Sequence, residues 1–352
     1  MTITNTLATN RTPSAHLSMA ELYQRLNKVG FDPTFVRQYV LPEWWDDTMG
    51  SNPTTRALAE IRIARFVGVP VKAVRAPESP LEPVLNHEFR LKRNQGVQVD
   101  ELRPAIALAH SLGSTFAQAL APSLPRFTHE HKALEIRQEI LSHHPRVDLA
   151  GLLEWCWAHG IIVAHLGQLP RHTKKFSGIA MLCPDRPVII LASGRNSPPW
   201  LAFHLAHELG HILRGHVQPG QTLLDDDIDR RRKINELMAD PAFDRDEADA
   251  NVFAMLLLTS RPELSFALQN LNGEQLARWV RQLEQAIQID AGTLALIYGH
   301  TAARMGVAQN ALKVLGLQNG AHQLIADAVK QHLPEDMPEA AAAFLPLIGC
   351  ES

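Results

Sequence analysis

The stretch Trp200-Leu-Ala-Phe-His-Leu-Ala-His207-Glu208-Leu-Gly-His211-Ile-Leu-Arg214 decides how the rest of the chain is read. Pro198 and Pro199 precede it, and Phe203, Ala206, Gly210 and Leu213 recur at helical spacing, so a helix is predicted from Trp200 to about Arg214. An α-helix turns about 100° per residue, which sets positions i and i+4 on one face, about 6 Å apart. His207 and His211 have that spacing. Two imidazoles then point at one cation, and a tetrahedral zinc ion takes such ligands at roughly 2.0–2.2 Å. Glu208 stands one residue later, beside the metal rather than on it, where it can take a proton from water that the metal has acidified. Gly210 costs about 1 kcal/mol relative to Ala inside a helix. Its small size suits close approach of a neighbouring backbone or of a catalytic edge strand. The bland alternative is a partly exposed helix whose histidines merely cap or pack.

The flanks supply the setting. Ile161–His165, Gly178–Leu182 and Val188–Ala192 are short apolar strands, the last two forming a hairpin around Pro184-Asp-Arg-Pro187. Helices are predicted over Thr54–Val67, Val69–Val74, Arg103–Leu120, His131–His143, Asp148–His159 and Asp246–Leu258, and Ser18 with Glu21 reads as a capping box that opens the first helix. Val217–Phe243 is polar and reads as a loop with one irregular helix. The last twenty residues, rich in Ala and Pro, read as a loosely held tail.

Composition sets limits. Of 352 residues, 45% are hydrophobic, enough for one large core or two to three smaller ones. With 34 basic and 37 acidic residues, the chain is not a general polyanion binder, although a local basic patch remains open. Cys156, Cys183 and Cys350 form no CxxC pair. They fit a reducing compartment and exclude a thiolate cage built from such pairs. Met1–Pro13 is not a signal peptide, and no run of 18 apolar residues predicts a transmembrane helix. The expectation is a soluble, cytoplasmic protein.

A catalytic site needs a third protein ligand and a fourth position for water. Glu247-Ala-Asp-Ala-Asn251-Val-Phe-Ala254 opens a helix after the polar loop, with Glu247 in its first turn. Together with Ala206-His-Glu-Leu-Gly-His211, this pair of motifs resembles the ImmA/IrrE family of zinc metallopeptidases. The likeness spans about residues 150–260 and includes Phe176-Ser-Gly-Ile179 and Val188-Ile-Ile190. It implies His207, His211 and Glu247 as ligands of one catalytic zinc, with Glu208 as general base and acid. It also implies a protease that clips one regulatory protein, a repressor or antitoxin, in a stress, mobile-element or phage-defence circuit. One departure stands out. Where the family often has Thr, this chain has His204, which reads as a donor behind the ligands, a crowding group or, most commonly, a solvent-facing histidine.

Other candidates remain open. Asn251 follows Glu247 by four residues and can hydrogen-bond the free ring nitrogen of a ligand histidine, or bond a neighbouring loop. His216, after Gly215, reads as a helix C-cap. Tyr298 or His300 can supply an oxyanion hydrogen bond. Cys183 ends the strand before the active helix, where an edge strand would bind substrate by strand addition. A thiol beside the metal would act as a redox switch there, against the commoner reading of a cysteine with no special role. Ala57–Val74 resembles a helix-turn-helix, and Arg56–Arg93 carries eight basic and four acidic residues, compatible with DNA phosphates. Pro70, however, falls early in the second helix. Trp44-Trp45 reads as a core or domain-contact anchor.

The predicted architecture is α+β and mainly α-helical. A disordered tail (1–15) leads into a helical, helix-turn-helix-like region (16–125). A zincin-like metallopeptidase domain with a small sheet (126–260) and a helical C-terminal region (261–352) follow. The alternative to the enzyme is a non-enzymatic DNA- or protein-binding regulator that retains a zinc site.

Overall fold

Ile162–His165 (β2), Gly178–Cys183 (β3) and Arg186–Leu191 (β4) are buried along their whole length, as apolar strands covered on both faces must be. They are described by a computed structural model that covers residues 17–82, 89–92, 99–183, 186–218, 222–225, 245–266 and 270–350. Phe89–Lys92 (β1) and Thr222–Asp225 (β5) complete a five-stranded sheet in the order β1-β5-β3-β4-β2. β3 and β4 form the expected hairpin, with Gly178 opposite Leu191 and Cys183 opposite Arg186. β2 runs parallel to β4 and β1 parallel to β5, while β5 runs antiparallel to β3. β1 and β5 were not expected. Consequently β3 is not an edge strand, because β4 and β5 pair with its two sides.

The rest of the described chain is mainly helical. On the N-terminal side lie α1 (Met19–Lys28), the single turn α2 (Pro33–Phe35), α3 (Pro53–Val67), α4 (Val71–Arg75) and α5 (Val99–Leu120). α6 (Ala133–His143) and α7 (Leu149–Ala158) precede β2, and α8 (Pro198–Leu213) follows β4. Beyond β5 come α9 (Arg245–Thr259), α10 (Gly273–Ile287), α11 (Ala291–Thr301), α12 (Met305–Leu315), α13 (Ala321–Gln331) and α14 (Glu339–Ala342). The capping box at Ser18 is formed in full, its hydroxyl accepting the Glu21 amide and the Glu21 carboxylate accepting the Ser18 amide.

Strand alternation divides the core. Ile179, Met181 and Cys183 face a cluster built with α1, α3, α5 and the C-terminal segment, while Ala180 and Leu182 face a cluster built with α6–α13. The sheet is thus a partition with α8 on one side and α5 on the other.

Three expectations change. The closing residues are not a loose tail: Phe344 stacks on Phe66 at 4.1 Å, Leu347 and Cys350 are fully buried, and the Leu347 carbonyl accepts the amides of Gly167 and Gln168. Trp44 is 54% exposed and only Trp45 packs on the core. The helix-turn-helix-like pair exists, turning at Gly68 with φ +74°, but α4 has five residues and Arg75 is held by Glu60 at 2.7 Å. α4 is thus little more than one turn long. Of Val217–Phe243, residues 217–218 and the strand at Thr222–Asp225 are described; the irregular helix expected there lies outside the described residues, and so does the N-terminal tail at 1–15. No described helix is long and apolar enough to cross a membrane.

Asp290 caps α11 by accepting the Thr293 amide at 2.7 Å, with Arg146 3.5 Å away. Burial pushes its carboxyl up to about 6; the Thr293 bond opposes this, and the charges of Glu284 and Asp148 add to it. A carboxyl whose pKa rises on folding stabilises the protein fully below its unfolded pKa of about 3.9 and loses that contribution as pH rises through 6. Asp290→Asn keeps a good cap and should flatten the stability–pH curve between about pH 4 and 6, measured as the difference in melting temperature from wild type. Parallel curves for the two proteins would contradict this placement.

Candidate metal centre

Two helices build the site. α8 begins on Pro198 and Pro199, whose missing amides would have no intrahelical acceptor in a first turn. His207, Glu208 and His211 are all fully buried on it. α9 crosses α8 at Gly210. A Cβ there would lie 3.2 Å from the Cα and carbonyl oxygen of Ala250 and from Cβ of Phe253. The small residue expected to admit a neighbouring backbone therefore admits α9. That approach sets Glu247, one turn upstream of Ala250, against both histidines.

The Nε2 atoms of His207 and His211 are 3.0 Å apart. Glu247 Oε2 lies 3.3 Å from His207 Nε2, and Oε1 lies 3.2 Å from His211 Nε2. Nitrogen and oxygen ligands about 2.0–2.1 Å from a tetrahedral cation stand roughly 3.4 Å from one another, so these three groups fit one metal ion. They are the one group of three or more metal-ligating side chains drawn together among the described residues. Burial alone would raise the Glu247 carboxyl. Hydrogen bonds from His207 and His211, and their charge, outweigh it and hold that carboxyl well below the usual carboxylate range.

The outer ring nitrogens are also engaged. His207 Nδ1 lies 3.1 Å from Asn251 Oδ1, the second-layer contact expected of Asn251. An oxygen acceptor fixes the proton on Nδ1 and leaves the Nε2 lone pair for a metal. His211 Nδ1 lies 3.0 Å from His216 Nδ1. Sequence reasoning took His216 as a C-cap. Its backbone does cap α8, donating to the His211 carbonyl at 2.9 Å after Gly215 turns at φ +73°. The same turn brings its ring back against that of His211, the centroids 5.1 Å apart.

Glu208 points at β3. A Cβ on Gly178 would fall 2.7 Å from Glu208 Cγ and 2.8 Å from Cδ. Only glycine at 178 leaves the Glu208 side chain where it is, a requirement that sequence reasoning did not assign.

His204 does not face solvent: it is 1% exposed, with its ring 6.2 Å from that of Trp200 and 6.5 Å from that of Phe203. Among the described residues, His204, His300 and Cys183 belong to no metal-ligating group of three. Cys183 faces the α5 side of the sheet, opposite α8. Burial pushes its thiol up to about 11 against a hydrogen bond with Ser114, so it lacks both the position and the thiolate character of a switch beside the metal. Tyr298 is buried, its hydroxyl accepting the Leu271 amide at 3.4 Å. His300 is half-buried in the last turn of α11.

No protein-family model, no curated protein and no solved structure matches this chain. Function is therefore argued from the site itself.

Gly210→Val should force α8 and α9 apart. Overpacking of this kind costs about 1–3 kcal/mol, and affinity for a divalent metal should fall with it because Glu247 is withdrawn. Isothermal titration with zinc chloride and a thermal melt check both effects. Unchanged metal affinity would show that the close crossing does not set the ligand geometry.

Proposed function

We propose that this chain is a zinc-dependent metallopeptidase with a zincin-like catalytic unit, of the kind its motifs resemble in the ImmA/IrrE family. The observation that carries the reading is the combination of three protein ligands with a buried, non-ligating Glu208 next to them in sequence. Structural zinc sites close all four positions with protein side chains, whereas catalytic sites use three. Two imidazoles and one carboxylate are a borderline ligand set that suits zinc. Bound there, zinc would supply Lewis acidity toward a scissile carbonyl and lower the pKa of water to about 7.

The chain's own groups do the rest. Asn251 and His216 hold the ligand rings so that Nε2 of each points inward. Glu208, steadied against Gly178, accepts a proton from the attacking water on its carboxylate and delivers it to the leaving amine. The substrate class is a peptide bond in a protein. The resemblance supports a regulatory target, a repressor or antitoxin, in the cytoplasm.

The test uses zinc-loaded protein and a proteome-derived peptide library read by mass spectrometry. Wild type should cleave a subset of peptides. Glu208→Gln should keep fold and zinc stoichiometry and lose at least about 100-fold in rate. Gly178→Ala should retain zinc yet lose rate, because the added Cβ displaces the Glu208 carboxylate. Cleavage by Glu208→Gln at the wild-type rate, or none by zinc-loaded wild type, would overturn the reading.

A further inference from the structure

The second ligand histidine is backed by an unassigned chain of side chains. His211 Nδ1 meets His216 Nδ1 at 3.0 Å. His216 Nε2 lies 3.3 Å from Asp249 Oδ2, with Asp246 Oδ1 at 3.8 Å. Asp249 in turn accepts two hydrogen bonds from Arg214, at 2.8 Å from Nε and 3.0 Å from the second terminal nitrogen. Arg214 is the residue that ends α8, so the chain begins and ends on the metal helix and passes through α9.

The direction of each hydrogen bond follows from the donor inventory. A carboxylate only accepts, so a neutral His216 places its single N–H on Nε2, toward Asp249. Its Nδ1 is then an acceptor. His211 must therefore carry its own proton on Nδ1 and present the Nε2 lone pair to the site. The wrong tautomer would aim an N–H at the cation.

We propose that His216 is a positioning residue for the metal, with Asp249 acting through it to fix the tautomer and ring orientation of His211. This inference rests on the metal reading of the site and goes beyond it. α9 supplies the third ligand at Glu247, the partner of His207 at Asn251 and, through Asp249 and His216, the support of His211. One helix thus orients every ligand of the set. Loss of His216 removes orientation from a ligand on the other helix without removing a ligand.

The experiment measures zinc affinity by competition with a chromogenic chelator, with melting of the metal-free proteins alongside to separate a folding loss from a ligand effect. His216→Ala should weaken zinc binding by about 10–100-fold. His216→Asn should restore most of it, because an amide oxygen at the δ position can accept from His211 Nδ1 as Asn251 does from His207. Asp249→Ala should weaken binding in the wild-type background and add nothing in the His216→Ala background. The absorption spectrum of the cobalt-substituted protein should change in His216→Ala and return in His216→Asn. Equal zinc affinity in wild type and His216→Ala overturns the proposal. Equal weakening in the Ala and Asn variants, or additive losses with Asp249→Ala, does the same, since either outcome reduces His216 to packing. Failure of the wild type to bind zinc removes the metal reading and this role with it, whereas tight binding by every variant removes only the role of His216.

Discussion

The close crossing of α8 and α9 at Gly210 is the constraint on which the site depends. Two of the candidate ligands sit on one helix and the third on another, so their convergence is set by how near the helix axes come. A side chain at 210 would meet the Ala250 backbone. Interiors are packed too densely to absorb such a contact without displacement. Glycine is unfavourable inside a helix by about 1 kcal/mol, and the fold accepts that cost where it brings Glu247 within 3.3 Å of both imidazoles.

The sheet completes the site from the other side. β3 is buried along its length and carries Gly178, the position against which Glu208 lies. Alternation sends Ile179, Met181 and Cys183 to the layer of α5. The N-terminal helices and the packed C-terminal segment therefore cover the face of the sheet turned away from α8. They buttress the partition that positions Glu208 without supplying ligands to the cluster of His207, His211 and Glu247. β3 is paired on both sides, so the strand nearest the site is held by β4 and β5 rather than exposed as an edge.

Much of this was legible in the sequence where a local period carries the information. The i, i+4 histidines, the apolar runs of β2–β4 and the capped helices are short-range patterns, and the helix carrying Glu247 and Asn251 was readable for the same reason. What depends on long-range packing was not. Thr222–Asp225 sits in a polar stretch and becomes a strand where β3 and β1 offer it partners. His204 reads as a surface histidine until neighbouring elements enclose it. His216 looks like a cap because the left-handed turn at Gly215, which folds its ring back over His211, has no separate signature beyond a common Gly-His pair. Cys183 was misplaced for a simpler reason: it is five residues from Gly178, and alternation puts odd separations on opposite faces of a strand.

His207, His211 and Glu247 are proposed to hold one zinc ion together. X-ray absorption at the zinc edge of protein loaded with one equivalent tests it most directly. The expected spectrum has a first shell of about four nitrogen and oxygen atoms at about 2.0–2.1 Å, the outer-shell pattern of two imidazoles, and no sulfur. Replacing Glu247 with Ala should remove one protein oxygen and leave the imidazole pattern in place. A sulfur shell near about 2.3 Å, a single imidazole, or a spectrum indifferent to Glu247 would contradict the assignment.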